Sequence, residues 1–309
     1  MAIITKASTR KITSISVYRQ HSILARRSPV RVGRLLVYVL LCIAVLVTIF
    51  PLGWMIISSF KPGNEIATAP LSVNLQTLTL NNYRALFEAV PMWIGFQNTF
   101  IVLLLQGGAT MLFCPLAGFA FAKFEFRGKK FLFAFVLSTM MVPAIAMILP
   151  LLLEMGALNW VDSYQGLIAP GLVNAFAIFW TRQQIADVPN ELLEAAKVDG
   201  CTPIGMYWRI VVPLMRPALA ALAIMTFLGI YNDFVWPVII TGSDSMQTLQ
   251  VLLSNLATQI NNSSPGTTGH DAWGMIMAAS TVATVPVLVL FIALQRQFIS
   301  GMLAGSIKG

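Results

Sequence analysis

At 309 residues the chain is long enough for two soluble domains, but 57 % of it is hydrophobic and only 10 % is charged, against about 25 % charged in ordinary globular proteins. So few charges cannot cover a soluble surface; the composition predicts an all-α, polytopic membrane protein and excludes a disordered chain, a disulfide scaffold and a coiled coil. The net charge of +8 looks like a nucleic-acid signal only until it is located. Residues 1–34 carry Lys6, Arg10, Lys11, Arg19, Arg26, Arg27, Arg31 and Arg34 and no acid. That arm alone accounts for the excess, and a basic arm running into an apolar stretch reads as a topogenic signal lying on anionic lipid.

A membrane-crossing helix needs roughly 20 apolar residues. Uncharged runs extend over Leu35 to Phe60, Ala89 to Ala122, Phe131 to Leu153, Ser163 to Thr181, Pro217 to Asn232 and Ala272 to Gln295. Six spans are predicted, near 36–58, 94–117, 131–153, 163–181, 216–241 and 273–295. The first is too long for a secretory core, which runs about 7–15 residues, and reads as an uncleaved anchor. The fourth contains Gly166, Pro170, Gly171 and Asn174, which predicts a break or kink. The fifth either includes Asp233 or stops short of it.

Counting Lys and Arg by loop orients these spans. Segments 1–34, 118–130, 182–216 and 296–309 hold eight, four, four and two, whereas 61–87, 154–162 and 242–271 hold two, none and none. The positive-inside bias therefore predicts both termini in the cytoplasm. The outer loop 242–271 is polar; its Asn261-Asn262-Ser263-Ser264 run contains glycosylation patterns too short to carry weight.

The inner loop 182–216 is longer than topology requires. Asp187-Val188-Pro189-Asn190 offers a cap and a first-turn proline, and Glu191 and Glu194 then sit near a helix N-terminus, where the dipole favours negative charge. Leu192, Leu193, Ala195 and Ala196 supply an apolar face, and Gly200 ends the helix. Thr202-Pro203 restarts a helix that is expected to stop at Pro213. Physics alone leaves two readings open: an amphipathic hairpin resting on lipid, or a thin helix against which another protein docks.

Glu194-Ala195-Ala196, three residues, Gly200, nine residues, Ile210, one residue and Val212-Pro213 resembles the EAA loop of bacterial ABC importer permeases. Val212 departs from the family's Leu before the final Pro; Asp199 and Pro217 fit. Asn98-Thr99, Ala120-Phe121-Ala122-Lys123-Phe124 with Arg127-Gly128-Lys129, Met141-Val142-Pro143, Leu149-Pro150, Asn232-Asp233-Phe234-Val235-Trp236-Pro237 and the Gly-rich end from Gln295 to Gly309 resemble the carbohydrate branch, the maltose and glycerol-phosphate type with the short N-terminus. The likeness covers about 35–309, as one permease domain with a coupling loop at about 187–213. The arm 1–34 is longer than the family's and is left unexplained.

The resemblance implies a sugar permease of the bacterial inner membrane working by alternating access. It implies a heterodimer with a second, related permease, two cytoplasmic ATPase subunits docked on the EAA loops, and an extracytoplasmic binding protein that delivers the sugar and carries most of the specificity. Glu194, Ala195, Ala196, Asp199 and Gly200 inherit the coupling role by position.

The remaining chemistry is sparse. Gly128-Lys129-Lys130 lacks the upstream glycine and the hydroxyl of a phosphate-cradling loop. No cofactor is expected in this chain; ATP and Mg belong to the partner ATPase. His21 and His270 are the two histidines, on opposite predicted sides, and Cys42, Cys114 and Cys201 have no metal or disulfide spacing. Enzymatic activity of the chain alone is not expected. The alternative is an ion-coupled secondary carrier, which would place ionisable residues inside spans; Asp233 is the one candidate, with Glu154 at an outer end. Asp233 reads either as a helix-end residue or, with Asn232 and Trp236, as a border of the sugar path, since sugars need hydrogen bonds and aromatic faces. Met140, Met141 and Met147 read as packing rather than gate.

Overall fold

The computed structural model describes residues 30–262 and 271–306, and all regular structure among them is helical. Most of the arm 1–34, the Ser263–Ser264 part of the glycosylation pattern and both histidines lie outside the described residues. Helix α1, Val30–Ser59, contains Pro51. The chain divides within it into two units, Met1–Pro51 and Leu52–Gly309.

After α1 come two short helices, α2 (Gly63–Thr68) and α3 (Asn81–Ala89). Asn82 ties α3 to the end of α1 by donating from Nδ2 to the carbonyls of Ser59 and Lys61, both at 2.8 Å. Lys61 is 1 % exposed and donates to the Pro70 carbonyl at 2.9 Å. One of the two lysine and arginine residues assigned to this loop is thus a structural strut and not a solvated charge.

Helix α4 (Met92–Val102) runs through a π-helical segment, Leu103–Gly107, into α5 (Gly108–Lys123), so Met92–Lys123 is one apolar rod of 32 residues. The third predicted span is not straight. Helices α6 (Lys129–Thr139) and α7 (Ala144–Ala157) meet at 98° across a break at 140–143. Pro143 excludes the helical conformation at Val142, and the amides of Met140, Met141 and Val142 tighten onto carbonyls three residues back.

The fourth predicted span is broken as Gly171 and Asn174 foretold, and neither piece reaches crossing length. Helix α8 is Tyr164–Ile168, a 3₁₀ turn covers Ala169–Gly171, and α9 is Ala175–Ala186. Asn174 caps α9 by accepting from the Ala177 amide at 3.0 Å. Thr110 points its hydroxyl at the freed carbonyls of Gly171 and Leu172, 3.4 and 3.3 Å away. A broken backbone between spans needs such partners because lipid offers none.

The chain continues with α10 (Asn190–Val198), α11 (Pro203–Met206), a second π-helical segment (Tyr207–Val211), α12 (Val212–Leu214), α13 (Arg216–Tyr231), α14 (Val235–Ile240), α15 (Leu249–Asn262) and α16 (Asp271–Ser306). Among the described residues four helical stretches are long and apolar enough to cross a membrane, and the bent α6–α7 pair makes a fifth.

Apolar burial against lipid contributes little, so small residues and polar contacts set the packing. Helices α5 and α9 show this: a Cβ on Gly118 would stand 2.3 Å from Thr181 Oγ1 and 2.9 Å from the Arg182 nitrogen. Leu86, Met92, Tyr231, Leu249 and Ala278 join α3, α4, α13, α15 and α16 in one core. At the other end of α4, Asn98 donates to the carbonyls of Ser245 and Gln247 at 2.9 Å and accepts from Tyr164 at 2.6 Å. Thr99 accepts from the Leu249 amide at 2.9 Å. The Asn-Thr pair thus pins the 241–249 loop.

Candidate functional site

The loop 187–215 is built from local signals. Helix α10 starts at Asn190 after Pro189, which sits one place before the first turn and provides no side-chain cap; the expected capping bond is not what starts this helix. Its end is as the sequence foretold. Gly200 has φ +79°, its amide donates to the Lys197 carbonyl at 3.1 Å, and the Cys201 amide reaches back to Ala196 at 2.9 Å. These two bonds form a Schellman ending, in which the left-handed residue carries no Cβ. Thr202 then caps α11, accepting from the Gly205 amide at 3.1 Å. Pro213 does not stop that helix. The π segment Tyr207–Val211 shifts the hydrogen-bonding pattern just before it, and the helix closes at Leu214.

One side of this hairpin is rooted and the other is open. Leu193, Met206, Tyr207, Val211 and Met215 are buried together with Phe119 of α5 and Ile185 of α9. Burial raises the Tyr207 hydroxyl above its ordinary pKa, so it stays neutral. Glu194, Ala195, Asp199 and Gly200 are exposed and Ala196 is half-buried. Val198 is 88 % exposed and Leu192 is 45 % exposed. The first helix therefore presents a mixed acidic and apolar face that nothing among the described residues covers. Leu193 is its anchor into the bundle.

Lys123, the last residue of α5, fastens the hairpin. Its ammonium donates to the carbonyls of Ala186 and Val188 and to Asn190 Oδ1, the last at 2.8 Å. Three donors on one compact cation satisfy the end of α9 and the start of α10 together.

A second arrangement lies within the helical rods. A cavity of about 280 Å³ is lined by Gln106 of the π segment, Thr110, Gly171, Asn174, Thr226 and Asp233, among others. Gly171 lets the Gln106 amide lie directly on the broken backbone of the fourth span; a Cβ there would stand 2.1 Å from Gln106 Nε2. Of the three residues predicted to border a sugar path, Asp233 lines this cavity. It lies just before α14, beside the amides of Phe234, Val235 and Trp236, which also makes it the helix-end residue of the plainer reading. Asn232 is exposed and donates to the Leu228 carbonyl at 3.0 Å. Trp236 turns away and donates to the Gly166 carbonyl at 3.0 Å. The structure does not gather the three.

Sequence reasoning passed over Gln106, Thr110 and Thr226. Their signal was present, as polar residues inside uncharged runs, with Gln106 followed by Gly107-Gly108. Among the described residues no group of three or more metal-ligating side chains occurs.

Residues 115–303 match the family model described as binding-protein-dependent transport system inner membrane component. The chain is 35 % identical over 266 residues to the arabinooligosaccharides transport system permease protein AraQ of Halalkalibacterium halodurans, covering 85 % of this chain and 92 % of that protein. It is 32 % identical over 271 residues to the lactose transport system permease protein LacG of Rhizobium radiobacter, with coverage of 88 % and 95 %. Among solved structures it resembles a chain of a bacterial ABC transporter involved in the import of the acidic polysaccharide alginate, at TM-score 0.77, 22 % identity and coverage of 87 % and 97 %.

Proposed function

The chain belongs to the family of binding-protein-dependent transport system inner membrane components, and from that premise we propose how its parts work. It is a multi-pass permease of the inner membrane, the transport subunit of an ABC importer for sugar or a sugar-like solute, and not itself the ATPase.

The finer arrangement is our reading. The chain crosses the membrane six times, with the broken α8–α9 pair as the fourth crossing and both termini in the cytoplasm. The loop-by-loop basic asymmetry supports this orientation. A second, homologous permease completes the pathway, an extracytoplasmic binding protein delivers the solute, and two ATPase subunits bind ATP and Mg below it. Asp233 borders the path, with Asn232 and Trp236 as its neighbours in sequence. The arm 1–34 lies on lipid.

One observation carries the coupling role: α10 is anchored by Leu193 and Lys123 while Glu194, Ala195, Asp199 and Gly200 stay open. A helix held this way moves with α5 and α9 when a partner pushes on its free face. The importer, reconstituted in liposomes with its partners, is expected to take up sugar only with ATP inside the cytoplasmic face. Uptake driven by an ion gradient without ATP would instead support the secondary-carrier reading.

A further inference from the structure

The cavity between the π segment, the broken fourth span and α13 contains several unused hydrogen-bonding groups. Neither the Gln106 amide nor the Thr226 hydroxyl makes a hydrogen bond among the described residues. Asn174 spends its Oδ1 on the Ala177 amide, which leaves its NH₂ donors for the cavity. Gln106 and Thr226 are half-buried and Asn174 is exposed, so these polar groups line an accessible cavity within an otherwise apolar bundle and are open to a ligand or to water. A π segment at this place also fits, since such segments recur at functional sites.

The lining holds no Lys, Arg or His, and one ionisable group, Asp233. An anionic solute would meet this carboxylate with no counter-charge in a low-dielectric setting. A cation would find a single carboxylate and no second anionic ligand. What remains is an amide-and-hydroxyl surface of both donors and acceptors, with Met225 and Phe176 beside it. That combination suits a hydroxyl-rich neutral molecule. At about 280 Å³ it has room for a sugar unit.

We propose that this chain carries its own solute subsite at Gln106, Thr110, Asn174 and Thr226, selective for neutral polyhydroxylated units against anionic ones. The inference rests on the importer reading and narrows its solute class. It sets this chain apart from the structural neighbour whose transporter imports an acidic polysaccharide.

The test uses the complete importer with all cysteines replaced and single Thr226→Cys or Gln106→Cys variants. Each is labelled with three methanethiosulfonates of similar size: neutral hydroxyethyl, anionic sulfonatoethyl and cationic trimethylammonioethyl. Rates are normalised to those of a free thiol in solution. The neutral reagent is expected to react fastest, and the anionic one about tenfold more slowly or worse. Two variants on different helices guard against one that misfolds. A charged reagent that outpaces the neutral one overturns the proposal. So does silence of both thiols toward all three reagents, which would mean that the partner permease fills the cavity. Failure of the importer reading appears elsewhere, as uptake without ATP, and leaves the labelling order unchanged.

Discussion

Gly118 touches Thr181 and the Arg182 backbone so closely that any side chain would push α5 from α9. Gly118→Ala is expected to cost about 1–3 kcal/mol, read as a lower melting temperature of the detergent-solubilised importer. Gly108→Ala, with nothing within 4 Å of its added carbon, is the control and should change little. Asp162 sets a different kind of constraint. It sits at φ +55° and its Oδ1 accepts from the amides of Gly242 and Ser243 at 2.9 and 3.1 Å. These bonds hold its carboxyl below the usual carboxylate range, the Ser243 backbone bond first. A carboxyl depressed in the folded state stabilises above its unfolded pKa and loses that contribution as pH falls through the folded value. The clamp should therefore stay closed from about pH 8 down to about pH 5 and loosen only in stronger acid. Amide protection factors at Gly242 and Ser243 should be flat over that window. They should be lower throughout that window in Asp162→Ala, which has lost both acceptors at every pH, and equal protection in both proteins would mean the bond does not hold the loop.

At the scale of elements, the coupling hairpin works because α5, α9 and α10 meet at one ammonium. Lys123→Met would leave the Ala186 and Val188 carbonyls without their shared donor, a loss of about 1–3 kcal/mol local to the hairpin. The variant should insert and assemble, yet show a several-fold weaker stimulation of ATP hydrolysis by sugar. Wild-type stimulation in Lys123→Met would remove this residue from the coupling account. Lys123 stood in the sequence as part of a family-like turn, but its acceptors lie 63 to 67 residues away, and no local pattern reports such a meeting. By contrast, Gly200 and Thr202 were legible, since a left-handed ending and a hydroxyl cap are decided within five residues. The break before α9 was legible for the same reason. The 98° bend before Pro143 was missed although its residues were in view: in a hydropathy reading Met140-Met141-Val142-Pro143 is simply apolar. The π segments were illegible, because no residue type in Leu103–Gly107 or Tyr207–Val211 marks a shift from the α-helical hydrogen-bonding pattern. Asn232, Asp233 and Trp236 were grouped as neighbours in sequence, and the break between α13 and α14 separates them: Asn232 bonds back to Leu228 and Trp236 to Gly166.

At the scale of the whole molecule, orientation and coupling stand or fall separately. Gln76 and Val198 are exposed and lie in loops assigned to opposite sides. In a cysteine-free background, an impermeant thiol reagent applied to intact cells should label Gln76→Cys and spare Val198→Cys. The reverse pattern would invert the topology while leaving the hairpin's geometry untouched. The central claim is that the open face of α10 is where ATP hydrolysis meets the membrane helices. Gly200→Val places a β-branched residue at φ +79°, where it is a costly outlier, and should tilt the end of α10 without touching a span. Glu194→Lys leaves the backbone alone and reverses a charge on the exposed face. The most direct measurement is copurification of the ATPase subunit with each variant, together with sugar-stimulated ATP hydrolysis in liposomes. Both variants are predicted to insert and to retain the second permease, and to lose either ATPase attachment or sugar-stimulated turnover; full attachment and full turnover in both would contradict the assignment of α10 as the coupling surface.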